Sequence, residues 1–190
     1  MKRSKRKQEI YAVAVGLFRE KGYAAASMRD IAERVGIEAS SLYSHISSKE
    51  EILVDVCSTC SRLFEEGMET VLQSNKNHLE KVLDLVELHV HIAIHHPSSV
   101  TVFSDEWKHL PQESLAPFLA SRRQYERQFR ELIREGIAAG LFVQRSSKVL
   151  FNIIINSTKW IHYLPKNISS EESAAFQADI FSFVEAGLTH

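Results

Sequence analysis

The chain has 190 residues, of which 44% are hydrophobic and 25% charged, and its formal net charge at pH 7 is −1. This length accommodates one or two compact domains with their own cores. No stretch approaches the ~20 apolar residues of a membrane span, and the basic start leads into a helix that contains Arg19, Glu20 and Lys21 instead of the apolar segment of a signal peptide. We therefore expect a soluble, cytoplasmic protein without a membrane partner.

The charge is unevenly distributed along the chain. Residues 1–50 hold 10 Lys and Arg against 6 Asp and Glu, whereas residues 51–190 hold 13 against 18. A basic arm precedes an amphipathic helix that ends at Gly22, and such an arm can follow DNA phosphates. The arm contains Lys2, Arg3, Lys5, Arg6 and Lys7.

The next segment, from Ser27 to Lys49, has the pattern of a helix-turn-helix. Ser27 lies three residues before Asp30, so its hydroxyl can cap a helix whose first turn favours a carboxylate. Gly36 follows the last apolar residue of that helix, where a left-handed conformation is accessible to glycine. A second helix is predicted over residues 39–46, because Leu42 and Ile46 are one turn apart on its inward face.

The outward face of this second helix carries short polar groups, a phenol and an imidazole, which can reach base edges or phosphates. Its outward residues are Ser40, Ser41, Tyr43, Ser44 and His45. The alternative is an ordinary helical hairpin with solvated serines. Ser47 with Glu50, or Ser48 with Glu51, predicts the capped start of the following helix.

These motifs resemble the TetR/AcrR family of repressors over about the first quarter of the chain. The shared pattern is F-x-x-x-G-Y, S-M-R-D-I-A, V-G-I, L-Y-x-H and K-E-E-I-L. The resemblance implies that Ser27, Tyr43, His45 and Lys49 hold phosphates and that the front of the recognition helix reads bases. Glu38 departs from the usual Ser or Thr cap. The expected DNA-binding residues are Lys5, Arg6, Ser27, Met28, Arg29, Ala39, Ser40, Ser41, Tyr43, Ser44, His45 and Lys49.

Proline, glycine and capping residues divide the remaining chain into further helices. We predict helices over 50–72, 78–96, 98–109, 113–139, 147–164 and 169–188. The expected fold is all-α with about nine helices, as in the TetR fold. Residues 1–49 would form a three-helix DNA-binding domain, and residues 50–190 a helical domain for ligand binding and dimerisation.

The last two predicted helices have wide apolar faces, wider than one stripe that packs a monomer core. We therefore expect a homodimer through these helices, as in the family, which would bind a palindromic DNA operator. The alternative is that both helices only close the monomer core.

Polar and aromatic residues among apolar ones suggest a ligand site in the body, although the aromatics can equally be core. The segments E-W-K-H-L-P, F-L-A-S-R-R-x-Y-E and I-R-E-G-I-A-A-G resemble TetR regulators of fatty-acid, phenylacetate and steroid degradation, whose effectors are acyl-CoA thioesters. In that case arginines of the second segment would pair with CoA phosphates; alternatively they form a solvated face. The candidates are His89, Phe103, Trp107, Arg122, Arg123, Tyr125, Phe129, Asn156, Trp160 and Tyr163.

Two further groups raise the question of metal or redox chemistry. Cys57 and Cys60 form the only C-x-x-C, within a predicted helix, and are better explained as packing residues. His91 and His95 are one turn apart but lack a further spaced ligand. We expect no metal, cofactor or catalytic residue, and a ligand-responsive repressor. The alternatives are a regulator of a drug-like molecule, an adaptor that does not bind DNA, and a metal-dependent hydrolase.

Overall fold

The computed structural model describes residues 4–164 and 169–189. Within these ranges it contains nine α-helices, two short 3-10 turns and no strand. The helices are α1 (Lys5–Lys21), α2 (Met28–Val35), α3 (Ala39–Leu42), α4 (Lys49–Gln73), α5 (His78–His95), α6 (Pro97–Asp105), α7 (Gln112–Ala138), α8 (Ser147–Thr158) and α9 (Ser170–Thr189). The 3-10 turns cover Trp107–His109 and Ile161–Tyr163.

The chain forms two compact units, each with its own apolar core. The first unit comprises Met1–Cys60 and Ser98–Leu119. Its core brings α1, α2 and α3 together around fully buried residues such as Ile10, Phe18 and Leu42. Segment 98–119 adds Val102, Leu110 and Phe118 to the same core.

The second unit comprises Ser61–Pro97 and Ala120–His190. Here α5 packs against α8 and α9, and α8 packs against α9. Its core contains fully buried Met68, Leu85, Phe129 and Ile133. The functional boundary predicted between residues 49 and 50 stays a prediction, since these compact units are not continuous in sequence.

The recognition helix is shorter than predicted. Its α-helical part ends at Leu42, and Ser44 and His45 make bonds to carbonyls three residues back. The Ser44 hydroxyl donates to the Ser41 carbonyl at 2.7 Å. Serine side chains compete in this way with the helical backbone pattern, which explains why the segment tightens into turns before Ile46.

The predicted helices 98–109 and 147–164 are each interrupted. The first changes to a 3-10 turn after Asp105, and the second ends at Thr158. Near the second interruption, the Trp160 indole N–H donates to the Ser157 carbonyl at 2.7 Å. That carbonyl is the acceptor that a continuing helix would use, so the side chain helps to end α8.

No helix in the two described ranges is long and apolar enough to cross a membrane.

Candidate functional site

The start of α2 is fixed by a capping box. The Ser27 hydroxyl accepts from the Asp30 backbone N–H at 3.1 Å, and Asp30 accepts from the Ser27 backbone N–H at 2.7 Å. Lys21 also contacts the Asp30 carboxylate at 2.7 Å. The hydrogen bonds from Lys21 and Ser27 hold the pKa of Asp30 well below its usual range. Gly36 closes α2 with φ 75°, which confirms the predicted turn glycine.

The recognition segment presents its polar side chains outward. Leu42 and Ile46 are buried, while Ser40, Ser41 and Ser44 are exposed and the Tyr43 side chain is 57% exposed. His45 and Ala39 are partly buried. The inward positions of Leu42 and Ile46 and the outward positions of the three serines and Tyr43 are therefore confirmed, whereas His45 is less exposed than predicted. Glu38 occupies the N-cap position of α3 without making a side-chain cap, and its carboxylate is exposed.

The start of α4 depends on Glu51. The Ser48 hydroxyl accepts from the Glu51 backbone N–H at 3.2 Å, which favours the second of the two predicted capping boxes. The Glu51 carboxylate accepts from Lys7 Nζ at 2.8 Å and from the Tyr11 hydroxyl at 2.9 Å. It also accepts from the backbone N–H of Ser47 at 2.9 Å. Burial raises the pKa of Glu51, but the bonds from Lys7, Ser47 and Tyr11 outweigh it and lower the pKa to about 2.

The starts of α2 and α4 border one groove of about 370 Å³ in the first unit. Backbone N–H groups at the start of a helix, together with its dipole, attract anions. The exposed Tyr43 hydroxyl on the rim adds a hydrogen-bond donor, whereas the Ser27 and Ser47 hydroxyls donate to Asp30 at 2.6 Å and to Glu51 at 2.8 Å. The residues that line the groove are Ala24, Ala25, Ala26, Ser27, Met28, Tyr43, Ser47, Ser48, Lys49 and Glu50.

The predicted DNA-binding cations differ in their surroundings. Lys5 and Arg29 are exposed, and neither makes an ion pair or hydrogen bond within residues 4–164 and 169–189. Arg6 pairs with Glu9 at 2.6 Å. The Lys49 ammonium donates to the backbone carbonyls of Tyr23 and Ala26 at 2.9 and 3.0 Å. Met28 is partly buried against the core of the first unit.

In the second unit, an imidazole and a phenol meet among aromatic rings. His89 Nε2 lies 2.8 Å from the Tyr125 hydroxyl. The Phe64 ring lies 4.7 Å from the imidazole, and Phe129 lies 6.3 Å from the Tyr125 ring, measured between centroids. Burial, with the charge of Lys159, lowers the pKa of His89 to about 4, and burial raises the pKa of Tyr125 far above its usual value. Both side chains are therefore neutral at pH 7.

Phe64 lies in α4 and is not among the residues that the sequence predicts to bind a ligand. Its contact with His89 comes from the packing of α4 on α5 in the second unit and has no local signal in the sequence.

Two of the predicted ligand residues pack in the first unit, and their role in ligand binding stays a prediction. Phe103 and Trp107 belong to the first unit, where their rings pack on Phe118 at centroid distances of 5.4 and 6.1 Å. Segment 98–119 also adds Phe118 to the core of that unit.

The other ligand candidates lie at the surface of the second unit. Arg122, Arg123 and Asn156 are exposed, and the Asn156 amide donates to the Asn152 carbonyl at 2.7 Å. The Trp160 and Tyr163 side chains are 42% and 58% exposed. The structure thus brings His89, Tyr125 and Phe129 together, and it leaves these five outside that aromatic cluster.

The apolar faces of α8 and α9 divide into a buried and an exposed half. Leu150, Ile154, Ile180, Val184 and Leu188 are buried in the core of the second unit. In contrast, large side chains of these helices and Trp160, two residues after α8, remain exposed: Val149 (53%), Ile153 (50%), Phe183 (61%) and Trp160 (42%). These four residues form what we call the exposed apolar face.

Cys57 and Cys60 are buried thiols that form no disulfide bond. Burial, with the neighbouring Cys57, raises the pKa of Cys60 to about 12, so its thiol is unreactive at neutral pH. Among the described residues, no three His, Cys, Asp or Glu side chains form a group that could hold a metal ion.

Known proteins match both parts of the chain. Residues 10–56 match the family described as bacterial regulatory proteins, tetR family, and residues 75–163 match the tetracyclin repressor-like C-terminal domain. The HTH-type transcriptional repressor KstR2 of Mycolicibacterium smegmatis is 27% identical over 188 residues, which is 97% of this chain and 91% of that protein.

Solved structures share the fold. KstR2 of Mycobacterium tuberculosis has a TM-score of 0.90 at 23% identity and covers 100% of this chain and 97% of its own. AibR, in complex with isovaleryl coenzyme A and operator DNA, has a TM-score of 0.79 at 21% identity, covering 94% of this chain and 97% of its own. The two matched segments, with the capped helix-turn-helix and the helical body, establish that the chain belongs to the TetR family of bacterial transcriptional regulators.

Proposed function

We propose that this regulator is a repressor that binds a palindromic duplex operator as a homodimer and is released by an acyl-CoA thioester. The observation that carries the DNA-binding part is the surface of the first unit. There the groove between the starts of α2 and α4 lies beside the exposed Tyr43 and the outward serines of α3. Donors of this kind fix phosphates, while the short polar side chains reach base edges.

The DNA-binding part is tested by selecting duplexes from a random pool with the full chain. We expect enrichment of an inverted repeat, because two recognition helices related by a two-fold axis read two equal half-sites. Tyr43→Phe removes only the exposed hydroxyl and should weaken binding about tenfold, a typical cost for a hydrogen bond to a charged group. Lys108→Ala, an exposed lysine of the first unit outside the groove, is the control. If the chain enriched no duplex sequence, the result would favour the alternative of an adaptor that does not bind DNA.

Dimerisation is supported by the exposed apolar face. Large side chains such as Phe183 and Ile153 are rarely left in water together on a monomer, and burying them against a second copy gives a two-fold interface. Phe183→Glu should yield a monomer by sedimentation and lose operator binding. Leu141→Glu changes a comparably exposed residue outside α8 and α9 and should remain dimeric. If Phe183→Glu remained dimeric, as Leu141→Glu should, this interface would be contradicted.

The effector proposal is supported by the aromatic cluster of the second unit. His89 and Tyr125 are neutral, and they are the polar pair among Phe64 and Phe129. Such a setting suits an acyl chain with one hydrogen-bonding carbonyl, as in a thioester. AibR, which shares this fold, was crystallised with an acyl-CoA.

For the CoA phosphates we assign Arg122 as the contact. It precedes Tyr125 by three residues on α7, so both side chains leave the same side of the helix. Arg123 points away from that side. An exposed arginine one turn before Tyr125 can pair with a phosphate through two parallel hydrogen bonds.

The effector is identified by thermal stability measurements with acyl-CoAs and the matching free acids. A ligand at 100 times its dissociation constant stabilises the fold by about 2.7 kcal/mol. We expect one CoA class to raise the melting temperature while its free acid does not, and Arg122→Ala to abolish the shift. Arg134→Ala, which removes an arginine paired with Glu131, should retain it. A shift with free acids or drug-like molecules alone would favour the alternative effector class.

A further inference from the structure

Two histidine rings meet on the exposed side of α5. His91 and His95 are one helical turn apart, both side chains are exposed, and their ring centroids lie 4.2 Å from each other. The ring planes are inclined at 54°, so the rings are not stacked. Within residues 4–164 and 169–189, neither imidazole makes a hydrogen bond or an ion pair. The ring nitrogens are therefore open to a ligand from solution.

The separation of the two rings suits a shared metal ion. A neutral imidazole has one acceptor nitrogen, which binds zinc at about 2.0–2.1 Å. Two imidazoles that meet at a right angle on one ion place their ring centroids about 4.5 Å apart. The 4.2 Å between His91 and His95 is close to that value, so a small rotation of the side chains brings both nitrogens to one ion. Histidines at positions i and i+4 of a helix bind zinc together in this way.

The position of the pair on the helix also favours a cation. His95 is the last residue of α5, where the backbone carbonyls of the final turn give the helix end a partial negative charge. Glu87 is exposed one turn before His91, so its carboxylate adds negative potential beside the pair. Among the described residues no third ligand joins the two imidazoles, and water would therefore complete the coordination.

The neighbouring histidines of the same segment are placed differently. His89 Nε2 is engaged with the Tyr125 hydroxyl at 2.8 Å. His96 directly follows His95 as the C-cap of α5. Successive residues of a helix point about 100° apart, so the side chain of His96 leaves α5 on another side. His96 is therefore a matched control for the pair.

We propose that His91 and His95 form a two-histidine site for a divalent ion of the late first transition row, namely Cu²⁺, Ni²⁺ or Zn²⁺. Imidazole ligands suit these ions, whereas Mg²⁺ and Ca²⁺ prefer oxygen ligands. We expected no metal from the sequence, because no third ligand follows at a fixed spacing. The distance between the two rings is the observation that changes this expectation. The site is independent of the proposed DNA-binding and effector functions.

Titration of the full chain, without an affinity tag, with Ni²⁺ tests the site. We expect one ion per chain, tighter binding of Cu²⁺ and no binding of Mg²⁺ in the same range. Two ligands held together bind about a hundredfold more tightly than one, so His91→Gln and His95→Gln should each weaken Ni²⁺ binding by about that factor. His96→Gln should bind as wild type does. Wild-type affinity in His91→Gln or His95→Gln, or equal weakening in all three variants, would overturn the proposal.

Hydrogen exchange locates the ion without a substitution. The His96 amide donates to the Ile92 carbonyl at 2.9 Å, at the end of α5. An ion that joins the last two turns restrains this end, so saturating Zn²⁺ should slow exchange at the His96 amide about tenfold. Exchange in α2 should be unchanged, and in His91→Gln the Zn²⁺ effect at His96 should disappear. Unchanged exchange at His96 in the Zn²⁺-saturated wild-type chain would place the ion elsewhere and overturn the proposal.

Discussion

Glu51 joins three parts of the first unit, and its removal gives a quantitative test of the fold. Its carboxylate receives hydrogen bonds from Lys7 and Tyr11 of α1 and from Ser47 before α4. These interactions lower its pKa from 4.5 to about 2. A difference of that size corresponds to about 3 kcal/mol of stability. Because the side chain is 31% exposed, solvent screening reduces this to about 1–2 kcal/mol.

The pH dependence has a definite direction. The folded-state pKa lies below the unfolded one, so the contribution is fully present above about pH 5 and disappears as the pH falls towards 2. Glu51→Gln retains the size of the side chain but has no charge. We therefore expect this variant to be about 1–2 kcal/mol less stable than wild type at pH 7. The two proteins should become equally stable near pH 2.

The assay uses urea unfolding with a fluorescence signal from the first unit alone. The chain has two tryptophans, Trp107 in the first unit and Trp160 in the second, so a Trp160→Phe background leaves a local probe. Glu9→Gln is the control, since Glu9 is 52% exposed and, among the described residues, pairs with its helical neighbour Arg6; it should change stability by less than about 0.5 kcal/mol. A constant difference between Glu51→Gln and wild type from pH 7 to pH 2 would refute the reasoning.

Three more predictions follow from single side chains. An added Cβ at Gly67 would collide with Leu88, so Gly67→Ala should destabilise the second unit by about 1–3 kcal/mol. In contrast, a Cβ at Gly16 of α1 would lie in open space, so Gly16→Ala should stabilise the first unit by about 0.5–1 kcal/mol. Urea unfolding measures both changes in stability. Glu38→Gln removes an exposed carboxylate at the start of the recognition helix and should raise affinity for random duplex DNA a few-fold in fluorescence anisotropy; an unchanged affinity would place Glu38 away from the DNA. The folded-state pKa of His89, about 4, lies below the unfolded value, so stability should fall as the pH drops from about 6.5 to 4. His89→Gln should remove that dependence, observed through Trp160 in a Trp107→Phe background.

Local chemistry explains which parts of the DNA-binding unit could be predicted. The cap at Ser27, the left-handed Gly36 and the inward Leu42 and Ile46 depend on residues within one or two helical turns of each other. Each of these predictions is confirmed. The early end of α3 at Leu42 was not predicted. The spacing of Leu42 and Ile46 is a clear signal for a longer helix, whereas the hydrogen bond from the Ser44 hydroxyl to the backbone leaves only a weak signal in the sequence.

The ligand candidates show the opposite case. Phe103 and Trp107 follow α5 in sequence and were assigned to the body, yet they pack in the first unit on Phe118. No residue within one helical turn of Phe103 or Trp107 indicates the unit in which they pack. Similarly, the contact between Phe64 and His89 joins residues 25 positions apart on different helices. Periodicity indicates that a residue is buried, but only the tertiary packing decides which core it enters.

The basic charge of the first fifty residues predicts an attraction for DNA; Lys2 and Arg3 lie outside the described residues, and the structure shows internal partners for most of the other cations. Lys7, Lys21, Arg34 and Arg6 are paired with carboxylates, and Lys49 is bound to carbonyls. In the part of that region that the structure describes, Lys5 and Arg29 are the cations without such partners.

Much of the described basic charge thus links helices α1, α2 and α4 through internal ion pairs. Under the DNA-binding role that we propose, phosphates would be met by helix starts and the Tyr43 hydroxyl, whose positions depend on these ion pairs. Such donors carry little net charge, so they discriminate by geometry more than by charge. This explains how a chain with a net charge of −1 can present a DNA-binding surface without a large excess of free cations.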